Sequence, residues 1–213
     1  EDTGNQDSGA VYVFTRSGTA WSQQAIIKAS NHNADDQFGN MVDIDNNTIV
    51  VRAEREASNQ TTITNGTSAS SDNSKAMSGA VYVYTRSGTT WSQQAYIKAS
   101  NMDASDKFGY SMSIDGDTLA VSATGEASNQ NTITNGSTSS DDNSAEYSGA
   151  VYIYTRSGTS WSQQAYIKPS NAVANGGFGS SVSLKGDILV VGAQGEDSNA
   201  TTITNGSSAS SVP

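Results

Sequence analysis

Short apolar blocks alternate with long polar stretches along this chain, and the blocks carry the period of β-strands. In the central part, Phe108-Gly109-Tyr110-Ser111-Met112-Ser113-Ile114 alternates large with small side chains, which predicts a strand. Asp115-Gly116-Asp117 supplies a tight turn. Thr118-Leu119-Ala120-Val121-Ser122-Ala123 follows, a short and mostly apolar run suited to a strand covered on both faces. After a polar stretch from Gly125 to Ser148, Val151 and Ile153 fall on one face of a strand and Tyr152 and Tyr154 on the other, so this strand is sandwiched too. Arg156-Ser157-Gly158-Thr159 reads as a hairpin connection. Trp161 to Lys168 is a more polar fourth strand, as an outer edge should be. No segment has a 3.6-residue apolar period, so no helix is predicted.

This pattern occurs three times at a spacing of 70 residues. Ser8 to Gly18 returns as Ser78 to Gly88 and as Ser148 to Gly158, and Trp21-Ser22-Gln23-Gln24 recurs in the same phase. A fixed period of this length means a repeat architecture, in which units bury apolar surface against their neighbours. The units divide as 1–70, 71–140 and 141–213. Four short antiparallel strands per unit, the polar one last, describe a β-propeller blade. The predicted fold is therefore all-β, built of tandem four-stranded blades. Within the long polar connection, Thr132-Ile133-Thr134 and Ser137-Thr138-Ser139 flank Asn135-Gly136, a pair favoured in tight hairpin turns, which predicts an ordered hairpin there.

With Phe-Gly opening one strand and Gly-Ala closing the next, the unit resembles the FG-GAP repeat of bacterial type, which also builds the propeller head of integrin alpha subunits. The matching residues are Phe38-Gly39, Phe108-Gly109 and Phe178-Gly179, with Gly192-Ala193 as the best copy of the second half. Val121-Ser122-Ala123 and Val51-Arg52-Ala53 are worn versions of it. Many members of that family carry a calcium loop between Phe-Gly and Gly-Ala. Here the connection has shrunk to Asp45-Asn46-Asn47, Asp115-Gly116-Asp117 and Lys185-Gly186-Asp187, too short to wrap a cation that takes six to eight oxygens. The resemblance implies an adhesive or ligand-binding module that is secreted or at the cell surface.

Composition narrows the chemistry. Net charge is −10, which disfavours nucleic acid and anionic membranes as partners. Cysteine is absent, so there is no disulfide or thiolate metal site, and no apolar run is long enough to span a membrane as a helix. No cofactor is required. Calcium is left open at Asn31, Asn33 and Asp35 and at Asn101, Asp103 and Ser105, where oxygen-bearing side chains alternate before Phe-Gly; the plainer reading is a polar connection held by Asx turns. Glu126, Asp141 and Asp142 bracket the long connection and read as a solvated loop. Lys28, Lys98 and Lys168 read as charges protecting an outer edge. Tyr12, Tyr82 and Tyr152, with Trp21, Trp91 and Trp161, fit packing between blades better than stacking on sugars. His32 is the only histidine, and no phosphate loop or nucleophile–base pair stands out, so no enzyme is predicted.

The phase of the repeat places half a blade at each end. The expected partners are identical chains joined head-to-tail, closing into a ring or running on as a filament. Two chains would give six blades. The alternative is recognition of a surface glycan or protein through the long loops. The Ser-rich end, Ser207 to Pro213, is expected to order only when tied down.

Overall fold

The computed structural model describes residues 6–199, 201, 203, 205 and 206; all the regular structure in them is β-strand. Ser207 to Pro213, expected to order only when tied down, lie outside these residues. In chain order the strands are β1 (Val11–Ser17), β2 (Ala20–Ile27), β3 (Phe38–Asp45), β4 (Thr48–Ala53), β5 (Thr64–Asn65), β6 (Ala80–Ser87), β7 (Thr90–Ile97), β8 (Phe108–Asp115), β9 (Thr118–Ala123), β10 (Thr134–Asn135), β11 (Ala150–Ser157), β12 (Ser160–Ile167), β13 (Phe178–Lys185) and β14 (Ile188–Ala193). They form two full blades, ordered β3-β4-β6-β7-β5 and β8-β9-β11-β12-β10, between two half-blades, β1-β2 and β13-β14. All pairings between named strands are antiparallel.

The hairpin expected around Asn135-Gly136 does not form. Thr134 and Asn135 pair instead with Tyr166 and Ala165 of β12, and the Gly136 amide donates to the Gln164 carbonyl at 2.6 Å. The first blade repeats this with Thr64 and Asn65 on β7. The physical reason is that the fourth strand would otherwise leave a row of backbone groups unpaired. The polar loop supplies a short fifth strand to that edge, so the fourth strand is covered rather than outermost.

Each blade has two unlike apolar faces. Val50, Val81, Val83, Ala95 and Ile97 of the first blade face forward and pack on the second blade's Phe108, Leu119, Val121, Tyr152, Tyr154 and Tyr166. The first blade's own Tyr82, Tyr84 and Tyr96 face backward onto Val11, Val13 and Ile27. Small aliphatic side chains therefore meet large aromatic ones at these two junctions, the interdigitation a close-packed interior needs, while at the third, onto β13 and β14, Phe178 is the one aromatic in the cluster. Tyr82, Tyr152, Trp91 and Trp161 pack between blades, as the alternation in the sequence predicts, whereas Tyr12 and Trp21 of the first unit are exposed. Phe108 meets Tyr152 edge-on at 5.5 Å and Phe38 meets Tyr82 at 5.3 Å, the tilted geometry aromatic rings favour.

Hydrogen bonds also run from blade to blade. Asp43 and Asp45 on β3 accept from the Ile114 and Gly116 amides at 2.9 Å each, and Asp115 on β8 accepts from the Gly186 amide at 2.7 Å. The shortened turns thus serve the next blade's inner strand. The backbones cross closely at Gly79, where a side-chain carbon would lie 2.3 Å from the Phe108 carbonyl oxygen, and at Gly149, where it would lie 2.0 Å from that of Phe178. Both glycines have a φ of +80°, which side chains strain to adopt.

Gly79→Ala should therefore destabilise the fold by about 3 kcal/mol or more, through backbone strain and displacement of the neighbouring blade. Gly88→Ala shares a positive φ (62°) but meets nothing within 4 Å, and should cost only about 1 kcal/mol. Equal losses in chemical denaturation would contradict this account of the crossing.

Candidate functional site

Each full blade contains a buried polar cluster that ties together four separate stretches of chain. In the second blade, Glu126 leaves the end of β9 and lies 1% exposed. Its carboxylate accepts from Lys168 Nζ and from Tyr166 Oη, at 2.8 Å each, and from Asn101 Nδ2 at 3.2 Å. Lys168 also donates to Ser148 Oγ at 2.7 Å, and the Asn101 amide oxygen receives Tyr152 Oη at 2.6 Å. The first blade repeats the cluster with Glu56, Lys98, Tyr96, Ser78, Asn31 and Tyr82.

Lys98 and Lys168 are therefore not charges guarding an exposed edge. Strand alternation points them inward, and the glutamate at the end of the second strand makes that burial tolerable, because a buried charge needs a partner and satisfied hydrogen bonds. Burial pushes both lysine pKa values down, against the pull of Glu56 and Glu126. Lys28 instead lies exposed, donating to Ser8 Oγ at 3.1 Å and to the Gly9 carbonyl.

Glu126 is likewise not part of a solvated loop. It turns into the blade, whereas Asp142 ties the base of the long connection, accepting from the Asn129 amide and Ser144 Oγ at 2.9 Å each. Asp141 is exposed.

The oxygen-bearing residues before Phe-Gly have divergent partners. Asn31 and Asn101 turn inward to the clusters described above. Asn33 Nδ2 donates to the Asn31 carbonyl at 3.0 Å. Asp35 is exposed, with a φ of 67°. Asp103 pairs with Lys75 Nζ at 2.7 Å, which lowers its pKa, and Ser105 is exposed beside it. Among the described residues no three His, Cys, Asp or Glu side chains group to hold a metal. His32 is exposed, with Nδ1 3.1 Å from the Ala29 carbonyl oxygen.

Asp36 and Asp106, which end the two oxygen-bearing runs before Phe-Gly, are buried rather than part of an open polar connection, each 4% exposed or less and accepting the amide of the residue three before it. Burial is the main cause that raises Asp36 to about 6 and Asp106 to about 7. Their recurrence at a spacing of 70 was the available signal. Beside Asp106 lies a depression of about 420 Å³, lined by Asp103, Ser105, Asn143, Glu146 and Tyr147 among others.

The two half-blades expose large apolar side chains. Tyr12, Phe14 and Trp21 are 57%, 53% and 67% exposed, whereas their second-blade counterparts Tyr152, Tyr154 and Trp161 are 0%, 1% and 2%. A groove of about 260 Å³ runs between β1 and β3, lined by Tyr12, Phe14, Val42 and Ile44 among others. At the other end Ile188 and Val190 are 68% and 62% exposed. Among the described residues, β1 and β14 each pair with one strand only.

Comparison with protein families matches the FG-GAP repeat at residues 21–84, 91–154 and 161–210. Comparison with curated proteins returned no match.

The buried aspartates set the pH dependence. Their folded-state pKa values lie above the unfolded value of 3.8, so protonation favours the fold. This contribution is full below about pH 4 and is lost as pH rises through about 6 for Asp36 and about 7 for Asp106. Thermal stability should fall between pH 5 and pH 8 by an amount on the order of a few kcal/mol. Asp106→Asn keeps the acceptor oxygen and should flatten that fall. An unchanged slope in the variant would contradict the assignment.

Proposed function

The chain belongs to the FG-GAP repeat family, and on that footing we propose that it is an extracellular structural or adhesive module whose copies assemble head-to-tail through their half-blades. FG-GAP repeats are a non-enzymatic repeat type found in extracellular or surface proteins, which fits an acidic chain without cysteine. The observation that carries the proposal is the contrast between Tyr12 at 57% exposure and Tyr82 and Tyr152 at 0%. The same side chain in the same unit is buried wherever a neighbouring blade is present. Exposed apolar patches of this kind mark interaction surfaces. Strands 1 and 2 of a blade at one end and strands 3 and 4 at the other are complementary halves, so one contact repeats without a second kind of partner. Successive contacts close into a ring or propagate as a fibre, depending on the rotation per copy.

A second reading, recognition of a glycan or protein ligand, draws on the depression beside Asp106, where Tyr147 is 44% exposed among acidic and amide side chains. Calcium belongs to this reading, through Asp103 and Ser105.

Light scattering and negative-stain microscopy of the 213-residue chain should show species of at least twice 22.1 kDa, as rings or fibres, that dissociate on dilution. Monomers at all concentrations would overturn assembly. A rise in melting temperature with calcium that Asp103→Ala abolishes would instead favour the second reading.

A further inference from the structure

We propose that a second copy of this chain completes the C-terminal half-blade in one register, Ile188–Ala193 of one copy against Ala10–Thr15 of the next, and that Lys28 and Glu196 close a buried ion pair across that junction. The proposal rests on the head-to-tail reading above and specifies its contact.

The register comes from the two places where the chain already makes this contact. Strand β4 meets β6 with Thr48 opposite Thr85 and Ala53 opposite Ala80, and β9 meets β11 with Thr118 opposite Thr155 and Ala123 opposite Ala150. Both pairings join the second strand of a blade to its third, so they are the same contact one unit apart. Moved on by one further unit, the ladder sets Ile188 opposite Thr15, Val190 opposite Val13 and Ala193 opposite Ala10. A slip by one residue would turn every side chain of the entering strand to the wrong face. The register is fixed because Val13 already faces the first full blade, 8% exposed.

The ion pair follows from the same equivalence. Lys98 with Glu56 and Lys168 with Glu126 each meet at 2.8 Å with both side chains buried. The third pair is divided between the two ends of the chain. Lys28 already donates to Ser8 Oγ, as Lys98 does to Ser78 and Lys168 to Ser148. Glu196 already accepts from Asn171 Nδ2 at 2.9 Å and from the Ser198 amide at 3.1 Å, as Glu126 does from Asn101 and the Ser128 amide. Each half keeps part of the closed cluster's geometry, and both charged groups are exposed; Lys28 donates meanwhile to the Gly9 carbonyl and Glu196 accepts from Ser198 Oγ, contacts that the ion pair would replace. Docking in the stated register brings them together and removes them from water. One difference accompanies the junction. Ile26 stands where Tyr96 and Tyr166 donate to the glutamate, so the junction cluster has one donor fewer and more apolar cover.

The chain has no cysteine, so introduced thiols report contact without background. Mixed under mild oxidation, V13C and V190C should form a disulfide-linked pair. V13C mixed with V191C should not, because Val191 faces the opposite side of the sheet. A link to position 191 instead, or association by light scattering with neither link, would overturn the register and leave head-to-tail assembly standing. Monomers without any link would sink both. Separately, Glu196→Gln should weaken association roughly a hundred-fold or more, the consequence of leaving a lysine buried without its charge partner. Asp141→Asn, which removes an equal charge at an exposed loop position away from the junction, should leave it unchanged. Because Glu196 is exposed in the isolated chain, both variants should keep the wild-type circular dichroism. Equal association by E196Q and wild type would refute the ion pair.

Discussion

A blade of this repeat has two apolar faces, one of small aliphatic side chains and one of tyrosine and phenylalanine, and neither can be covered from within the blade. Everything else in the structure depends on supplying each face with the opposite face of a neighbour. Full burial of one such side chain contributes on the order of 2–3 kcal/mol. Tyr152, Tyr154, Tyr166 and Phe108 meet at a single junction, so the junction outweighs any contact within a sheet edge. Stability is then a property of neighbouring pairs, as in other one-dimensional repeat arrays.

Two devices keep successive junctions alike. The backbone crossing at Gly79 and Gly149 admits no side chain, which fixes how near the next blade's Phe108 or Phe178 comes. The Glu–Lys clusters act on the other axis. They pin the end of the second strand, the start of the third and the end of the fourth to the connection arriving from the previous blade. Ion pairs of this kind add little net stability over apolar packing, because desolvation opposes attraction. Their role here is geometric: a misplaced strand would leave a buried charge without a partner.

Much of this was legible in the sequence. Alternation in Val151-Tyr152-Ile153-Tyr154 gave the strand, its two covered faces and the destination of the tyrosines, because those depend only on local period. Phe-Gly and Gly-Ala located the first two strands. The lysines misled because an edge strand was assumed where Thr134–Asn135 covers part of β12, and because the partner of Lys168 lies 42 residues away at Glu126. Separations of that size carry no local signal. Only the joint recurrence of Glu56, Glu126 and Glu196 with Lys28, Lys98 and Lys168 records the pairing. The burial of Asp36 and Asp106 was hidden likewise, since a carboxylate in a polar loop reads as solvated until the connection leaving the second strand, at Arg55 or Gly125, folds against it.

The central claim is that blade faces and strand edges of this repeat are stable only against a neighbouring unit. Amide hydrogen exchange as a function of protein concentration tests it most directly. The account predicts that the Tyr12–Phe14 and Leu189–Val191 amides exchange fast in dilute solution and become protected as concentration rises. Over the same range the Tyr82–Tyr84 and Tyr152–Tyr154 amides should stay protected throughout. Strong protection of β1 and β14 at the lowest concentration, or none at the highest, would contradict it.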